Sequence, residues 1–456
     1  TQVGSGERVI KSLKFDPVIE FFERQPFRQE PKILAEFDLK KDVIYTLYGG
    51  RGSGKTTILK LLIKKLAEEK KVDPDNIFYY SCHNLETYEQ LNELIKIFLN
   101  WRQLEPTPPR LADRRLFIFI DEISLIKNWP KGIQYLAKAG KLKNTTMILS
   151  SSRWEGGKKL FKSEDKIISS LNFSEFVQKL NPKLLEKVKA ANFKKYQEQL
   201  DYYLDIYFLT GGFLPCLNSY RQEGGVKQDI YNDYFYSLTA DIAKLGRDVM
   251  LLRQILEQII SNVGRPLGYK TIAKKTKAKI HSTISEYLEI LESMFAVQTV
   301  CQSDSKGKPT SRKAKKIYFC DPFIFWLFYG QSHGSLDYWH FSRERLHRQD
   351  IFYCLVESVI FSHLSRNGGL GDRNRLTFWR DNNKNREIDF LVHDGKKTTP
   401  IMLRYGQEIT DEDSETFRLA GFKKGIIISR NEFGEKKNIK IIPLDYFLLF
   451  GGKLLK

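Results

Sequence analysis

A run of nine residues has the types and spacing of a loop that binds a phosphate chain. It lies between apolar residues 43–48 and a helical pattern over residues 58–66. Its members are Gly49, Gly50, Arg51, Gly52, Ser53, Gly54, Lys55, Thr56 and Thr57. Glycines let the backbone turn several N–H groups toward a triphosphate, and the positive N-terminal end of the following helix strengthens the attraction. Lys55 would reach the outer phosphates of ATP and Thr56 would bind Mg²⁺, whereas a plain glycine-rich turn is the alternative.

Two carboxylates follow the next strongly apolar segment. Residues 116–120 form an uninterrupted apolar run that ends at Asp121 and Glu122, a pattern typical of a strand buried on both faces. At the end of such a strand Asp121 would hold the Mg²⁺ shell, and Glu122 would polarise the water that attacks the terminal phosphate. A surface carboxylate pair is the alternative. Together with the loop, the two residues predict an ATPase that requires Mg²⁺.

Length and composition place this chemistry in a large globular chain. The 456 residues exceed the size at which one hydrophobic core keeps growing, so about two to four domains are expected. The longest apolar segment, residues 317–329, is shorter than the roughly 20 residues of a membrane span and contains Asp321. No signal peptide is visible, so we expect a cytoplasmic protein without a membrane partner.

Cysteine usage and net charge narrow the range of partners. The cysteines lie far apart, as expected for reduced thiols and not for disulfides or a zinc site. They are Cys82, Cys216, Cys301, Cys320 and Cys354. With 74 basic against 55 acidic residues, the formal charge of +19 favours polyanions such as nucleic acid. A lysine-rich surface can also serve solubility or ion-pair networks, so charge by itself leaves nucleic-acid binding open.

The pattern of apolar runs predicts an α/β architecture followed by smaller units. Between residues 43 and 173, short apolar runs alternate with helical patterns, which indicates a parallel sheet with helices on both faces. The predicted strands are 43–48, 77–81, 116–120, 146–150 and 167–171. From residue 247, three helical patterns and a hairpin follow in the order of a winged helix. The predicted domains are a P-loop domain, a helical lid, a winged helix and a small α/β domain, at residues 1–175, 176–245, 246–330 and 331–456.

With these elements in order, the chain resembles archaeal and bacterial P-loop ATPases related to the AAA and STAND classes. Members of that group carry a winged helix and a restriction-endonuclease-like C-terminal domain. Besides the loop and the carboxylate pair, the markers of the resemblance are Trp129 and residues 171–176, 211–213, 316–321 and 386–390. The resemblance implies an ASCE-type P-loop NTPase sheet, followed by a helical lid, the winged helix and a restriction-endonuclease-like α/β domain.

The resemblance also implies further residues that contact nucleotide. Ser150 and Arg153 occupy the end of the sensor strand, where a hydroxyl and an arginine would lie near the γ-phosphate; a surface position is the alternative for Arg153. Pro215, in the lid motif that begins at Gly211, would approach the adenine, unless the glycines only break a helix. Relatives often have a Gly-Arg pair before the last core strand. This chain has Lys-Ser-Glu-Asp at residues 162–165 instead, so slow turnover is expected.

Basic residues cluster where a winged helix faces DNA. Those that we expect to contact phosphates are Lys277, Lys279, Arg312, Lys313, Lys315 and Lys316. In the second half of the third helix, Glu286, Glu289 and Glu292 would repel phosphates, which argues against base-specific reading of double-stranded DNA. A solvated structural linker is the alternative.

The C-terminal domain contains part of a nuclease-like site. Glu357 and Asp389 match the carboxylates that such a site needs around Mg²⁺. On the next strand, however, residues 402–404 read Met-Leu-Arg where the catalytic lysine belongs. We therefore interpret this as a vestigial nuclease and expect no DNA cleavage, unless a relocated lysine such as Lys396 or Lys397 replaces the missing one.

These observations lead to one main interpretation of function and two alternatives. We interpret the chain as a Mg²⁺-dependent ATPase whose nucleotide state acts on a basic winged helix and a nuclease-like region that contact DNA. The alternatives are a slow-turnover, STAND-like nucleotide switch that signals through a protein partner, and an ATP-regulated DNA endonuclease. The expected partners are ATP or ADP, double-stranded DNA and, in a homo-oligomer, further copies of the chain.

Overall fold

The chain forms two compact units in a computed structural model. The structure describes residues 16–28, 32–104, 115–154, 161–304, 307–310, 313–366, 375–395 and 397–454. Unit 1 is Thr1–Ser169 and unit 2 is Ser170–Lys456. Within the described residues, no helix is both long enough and apolar enough to cross a lipid bilayer.

Unit 1 is built on a parallel sheet of five strands in the order β2-β3-β4-β1-β5. The strands are β1 Val43–Gly49, β2 Ile77–Ser81, β3 Leu116–Asp121, β4 Thr145–Ser151 and β5 Glu164–Ile168. Four of them lie within one residue of their predicted bounds. The fifth begins three residues earlier than predicted, because the paired stretch along β1 runs from Tyr45, opposite Glu164, to Gly49, opposite Ile168.

Helices cover both faces of this sheet. They are α1 Pro17–Arg24, α2 Lys32–Ala35, α3 Lys55–Glu68, α4 Tyr88–Leu104 and α5 Trp129–Lys138, with short 3₁₀ helices at Pro74–Asn76, Cys82–Asn84 and Ile123–Leu125. Neighbouring residues on β3 point to opposite faces. Phe119 packs in the same core as Leu62 of α3, whereas Ile118 packs in a second core with Leu91 of α4 and Ile133 of α5. This two-sided burial explains the continuous apolar run before Asp121.

Unit 2 begins with helices and continues into a winged-helix arrangement. Its first helices are α6 Phe173–Leu180, α7 Pro182–Lys187, α8 Gln197–Thr210, α9 Leu214–Glu223 and α10 Gln228–Lys244, with a 3₁₀ helix at Ala190–Tyr196. The next three are α11 Val249–Ile260, α12 Tyr269–Lys274 and α13 His281–Ser293. Ile280, which directly precedes the third of these helices, is 59% exposed. The reason is that Ile280 is the extended residue that caps α13, so its side chain lies outside the helical face.

The rest of unit 2 is organised by one mixed sheet of eight strands in the order β12-β13-β11-β10-β9-β8-β6-β7. The strands are β6 Val297–Gln302, β7 Lys315–Phe319, β8 Leu376–Asp381, β9 Arg386–Asp394, β10 Lys397–Arg404, β11 Gly425–Ser429, β12 Gly434–Lys436 and β13 Ile439–Pro443. The remaining helices are α14 Pro322–Ser332, α15 Tyr338–Arg345, α16 Gln349–Ser365, α17 Asp411–Leu419 and α18 Leu444–Leu454.

The hairpin of the winged helix belongs to this same sheet. Strands β6 and β7 are antiparallel, and β6 also pairs in parallel with β8, with Cys301 opposite Thr377. Our predicted domain boundary after residue 330 therefore divides elements that share a sheet. A local reading of the sequence misses the pairing of β6 with β8, because more than 70 residues, including three helices, lie between these two strands.

Candidate active site

The predicted phosphate-binding loop connects the end of β1 to the start of α3. Gly52 and Gly54 have φ angles of 73° and 93°, in the left-handed region that side-chain-bearing residues rarely adopt. A Cβ atom at Gly49 would lie only 2.6 Å from Ser53 Oγ and from the carbonyl oxygen of Ile168. Glycine is thus required where the loop bends and where it passes β5, and the resulting turn places Lys55 at the first position of the helix.

Lys55 is buried within the loop that precedes it. Its ammonium group donates hydrogen bonds to the carbonyl oxygens of Gly49 and Gly50, at 3.0 and 3.1 Å. These acceptors are uncharged, so a phosphate oxygen can compete with them for the lysine. Ser53 Oγ is also buried and has no hydrogen-bond partner within the described part of the chain. Both groups fit a loop that binds an anionic ligand.

Asp121, at the carboxyl end of β3, is surrounded by hydroxyl groups. The hydroxyls of Thr56 and Tyr79 donate to its Oδ2 atom, at 2.9 and 3.1 Å. Ser150 Oγ donates to Oδ1. The carboxyl ends of parallel strands meet at one edge, which is where ligands bind in open α/β sheets. The structure thus brings Thr56, Asp121 and Ser150 together.

Tyr79 is a site residue that sequence reasoning missed. It lies on β2, which pairs with β3 in a register that sets Tyr79 opposite Phe119. Burial, reinforced by the neighbouring Asp121 carboxylate, raises the pKa of the Tyr79 hydroxyl above its ordinary value, so the group stays a neutral donor. A strand tyrosine is normally read as core; only the strand order reveals this contact.

Glu122 follows β3 in a backbone conformation with a φ angle of 53°. Its N–H donates to Ser150 Oγ at 2.9 Å, which fixes the residue next to Asp121. In the carboxylate, Oε1 lies 3.6 Å from Nη1 of Arg51. Oε2 is buried and accepts no hydrogen bond from any residue that the structure describes. Because a buried acceptor without a donor is costly, this atom fits a group that holds a water molecule during catalysis.

The residues present fit a nucleotide–metal complex. Thr56 and Asp121 are hydrogen-bonded to each other and supply the oxygen ligands that Mg²⁺ prefers. When bound there, the metal would neutralise negative charge that develops on the phosphates during phosphoryl transfer. The sensor role of Arg153 stays a prediction; its N–H donates to Ser151 Oγ at 3.2 Å, just beyond the end of β4.

The comparison with protein families agrees with this geometry. Residues 41–177 match the family described as "AAA domain". The chain contains a P-loop ATPase domain of the AAA class. Within this AAA domain lie all of the loop, carboxylate and sensor-strand residues that we predicted. Residues 201–332 and 354–447 match two further families, both described as domains of unknown function and named DUF8612 and DUF4143.

One of two relatives matches the chain well beyond the length of the AAA domain. An uncharacterized protein of Haemophilus influenzae is 22% identical over 417 residues, which are 89% of this chain and 93% of that protein. An uncharacterized ATP-binding protein of Methanocaldococcus jannaschii is 28% identical over 134 residues, 29% of this chain and 32% of the relative.

Two solved structures are similar to the chain at a low level. The Aeropyrum pernix ORC2 protein, in ADPNP–ADP complexes, gives a TM-score of 0.32 at 11% identity, covering 72% of this chain and 93% of that one. A STAND protein with a tetratricopeptide repeat sensor from Pyrococcus horikoshii gives 0.26 at 12% identity, covering 74% and 48%. Similarity at this level says nothing about the activity of the present chain.

In unit 2, the glycines of the lid motif accommodate a buried carboxylate. Gly211 has a φ angle of 64°, and a Cβ atom there would overlap Asp321 Oδ1. Gly212 N–H donates to Asp321 Oδ2 at 3.0 Å. Two of the motifs that we used as markers thus meet in space. The predicted contact of Pro215, in the first turn of α9, with the adenine stays a prediction.

The basic residues expected on a DNA-facing surface separate into two groups. Lys277, Lys279 and Lys313 are exposed, and the Lys315 ammonium lies 4.4 Å from the ring centre of Tyr269. Arg312 lies outside the described residues. Lys316 is the exception and corrects our expectation, because its residue is completely buried. A lysine in this position cannot contact a DNA phosphate.

Lys316 instead lies among the carboxylates of the predicted nuclease remnant. Its ammonium is 2.7 Å from Glu357, 2.6 Å from Glu387 and 3.4 Å from Asp389. Tyr318, two residues along β7, donates its hydroxyl to Glu357 Oε1 at 2.7 Å. A lysine on β7 therefore lies among the carboxylates in place of the one that is missing on β10. The candidates that we had named for this position were Lys396 and Lys397.

The charged groups of this cluster shift one another's pKa. Burial opposes the charged form of Lys316, but Glu357 and its neighbours outweigh this effect, and the pKa of Lys316 is well above its ordinary value. Burial raises the pKa of Glu357 to about 7, although Lys316 acts in the opposite direction. The carboxylates thus favour the charged form of Lys316, and burial makes Glu357 easier to protonate than an exposed glutamate.

The positions where the sequence lacks a nuclease lysine have structural roles. Met402 is buried in an apolar core beside Ile388 and Phe417. Arg404 pairs with Asp413 at 2.7 Å. Among the residues that the structure describes, no group of three His, Cys, Asp or Glu side chains is arranged to hold a metal ion.

Proposed function

We propose that this protein binds Mg²⁺-ATP at its AAA domain and hydrolyses it to ADP and phosphate. One observation carries the proposal: next to Asp121 and Thr56, which are hydrogen-bonded to each other, Glu122 presents a buried carboxylate oxygen without a described donor. A pair of metal-binding residues beside a carboxylate oxygen that lacks a hydrogen-bond donor is the arrangement that hydrolysis of a phosphoanhydride needs.

Each residue has a defined part in the proposed reaction. Lys55 exchanges its carbonyl partners for oxygens of the outer phosphates, and the N–H groups of the loop surround the remaining phosphates of the nucleotide. Glu122 orients a water and takes its proton as the water oxygen bonds to the γ-phosphorus. The bond from that phosphorus to the β,γ-bridging oxygen breaks, and ADP leaves with the electron pair. Ser150, which contacts both Asp121 and Glu122, holds these two residues in a fixed position relative to each other.

The proposal is tested by separating binding from turnover. In Glu122→Gln, we expect Mg²⁺-ATP binding within about threefold of the parent protein, and a rate of hydrolysis lower by roughly 10²–10⁴-fold, the usual contribution of a general base. Lys55→Ala should weaken binding itself by about 100-fold, because charge-assisted hydrogen bonds contribute up to about 3 kcal/mol. Calorimetry and phosphate release measure the two quantities. Unchanged hydrolysis in Glu122→Gln would contradict the proposal.

We further propose that the exposed lysines of the winged-helix arrangement contact DNA. Lys277, Lys279 and Lys313 are the support for this step, since they are exposed and positively charged. The logarithm of the affinity for duplex DNA should fall steeply with the logarithm of the salt concentration. Replacing all three lysines by alanine should reduce the steepness of that line by up to about three units. A flat salt response in the parent protein would remove DNA from the proposal.

DNA cleavage is not part of the proposed function. In the cluster around Lys316, the lysine side chain is 1% exposed, Glu357 5% and Asp389 9%. A Cβ atom at Gly264 would collide with Glu357 Oε2, so backbone also covers the carboxylate. A scissile phosphate has no access to groups that are enclosed in this way. The cluster supports a structural role for this part of unit 2.

A further inference from the structure

The phosphate-binding loop contains an arginine that contacts the proposed catalytic base. Arg51 lies between Gly50 and Gly52, and its Nη1 atom is 3.6 Å from Glu122 Oε1. The two side chains are 22% and 9% exposed, so the pair is largely shielded from water. An ion pair in such surroundings is stronger than one on the surface.

The position of this guanidinium is set by the chemistry around it. If Glu122 holds the attacking water, its carboxylate lies one water molecule away from the γ-phosphate. Arg51, at 3.6 Å from that carboxylate and within the loop that wraps the phosphates, is then within reach of the same phosphate. A phosphate carries more negative charge than one carboxylate and accepts two parallel hydrogen bonds from a guanidinium. ATP can therefore take Arg51 away from Glu122.

We propose that Arg51 acts as a γ-phosphate sensor supplied by the same chain. Without ATP it pairs with Glu122 and restrains the base. With ATP it donates to the γ-phosphate, stabilises the charge that develops there during transfer, and frees Glu122 to hold the water. Once phosphate leaves, the pair with Glu122 forms again. This inference rests on the proposed hydrolysis of ATP and adds how that reaction is gated.

The inference accounts for a feature that the resemblance left unexplained. At residues 162–165, where the resemblance implies an arginine in relatives, this chain reads Lys-Ser-Glu-Asp. Arg51 provides a guanidinium at the site within one chain, so a neighbouring subunit need not supply one. The residue must therefore distinguish nucleotides that carry a γ-phosphate from those that do not.

The affinities of Arg51→Ala for two nucleotides provide the test. For a β,γ-imido analogue of ATP, we expect binding at least about tenfold weaker than in the parent protein, and for ADP within about twofold, since one charge-assisted contact is lost only with the former. Steady-state kcat should fall by about 100-fold or more, as for other arginines that contact a transferred phosphoryl group. Arg51→Lys should restore most of the affinity but little of the turnover, because lysine lacks the planar fork.

Arg115→Ala is the matched control. Arg115 is also a partly shielded arginine, paired with Asp42 at 2.8 Å, but it directly precedes β3 at the opposite edge of the sheet. We expect parental affinity and turnover in this variant.

Equal losses of ADP and analogue affinity in Arg51→Ala, or parental turnover, would overturn the inference. If the parent protein hydrolyses no ATP, the proposed function is wrong, whereas the ratio of the two affinities still decides the role of Arg51. The failure of either idea can thus be told from that of the other.

Discussion

Two buried lysines, one in each unit, show how the same side chain can serve a ligand or the fold. Lys55 is 4% exposed and donates to two backbone carbonyl oxygens. Lys316 is 0% exposed and lies within 3.4 Å of three carboxylates. These two carbonyl acceptors are neutral, so they do not compensate the charge of Lys55. Three carboxylates already compensate the positive charge of Lys316, so an anionic ligand would gain little from it.

The carboxylates of the two sites also differ in whether their oxygens have hydrogen-bond donors. In unit 1, Glu122 keeps one oxygen without a described hydrogen-bond donor. In unit 2, Asp389 accepts from the N–H of Leu403 at 2.7 Å, and Glu357 accepts from both Lys316 and Tyr318. Groups that fold the chain have their partners built in, whereas a site for a ligand leaves some of them unmet. This contrast teaches that an acid–lysine set by itself does not indicate catalysis.

The largest effect expected from this contrast is on the stability of unit 2. Lys316→Ala leaves three carboxylates buried without their shared cation, and breaking a buried ion pair in this way typically costs about 3–5 kcal/mol. The free energy of unfolding is measured by hydrogen exchange of peptides that cover β7 and α16. Lys313→Ala, an exposed lysine before the same strand, should change it by less than about 0.5 kcal/mol. Equal stabilities of the two variants would contradict a structural role for the cluster.

A smaller effect concerns pH, and its sign follows from Glu357. Its pKa of about 7 in the folded chain exceeds the ordinary value of 4.5. A raised pKa stabilises the folded state below about pH 4.5, and this contribution is lost as pH rises through about 7. The free energy of unfolding that is lost amounts to at most about 1.4 kcal/mol for every tenfold difference in proton affinity between the folded and unfolded chain. Glu357→Gln is neutral throughout, so its stability relative to the parent should increase between pH 5 and pH 8.

The same exchange measurement checks this pH dependence. Asp445, also in unit 2, has a pKa that burial raises to about 7, but it is present in both proteins and cancels from the difference. A relative stability that falls with rising pH would mean that the ionised Glu357 stabilises the fold through Lys316.

The smallest effect expected is on the stability of unit 1 when its lysine is removed. Lys55→Ala loses two hydrogen bonds to carbonyl oxygens, and neither of these acceptors is a charged group, so the free energy of unfolding should change by no more than about 1 kcal/mol. Lys65→Ala, on the same helix, serves as the control. A loss as large as that of Lys316→Ala would remove the distinction between the two lysines.

Sequence reasoning worked where the determinants are local. Glycines 52 and 54 bend the chain before α3, and the apolar run before Asp121 is a strand buried on both faces, so the loop and the carboxylate pair were predictable. Strand bounds agreed closely except in β5, whose register depends on its neighbour β1. Residue types also predicted the hairpin β6–β7, but not its pairing with β8.

The chain alone determined which groups can meet a triphosphate, because a glycine-rich turn between a strand and a helix positions its own backbone and its own lysine. The partners of those groups were decided by tertiary structure. Tyr79 reaches Asp121 only because β2 lies next to β3. Lys316 is buried among carboxylates only because β6 pairs with β8. Side chains distant in the chain meet through strand order, and strand order reflects packing of the whole sheet, which short stretches of sequence do not specify.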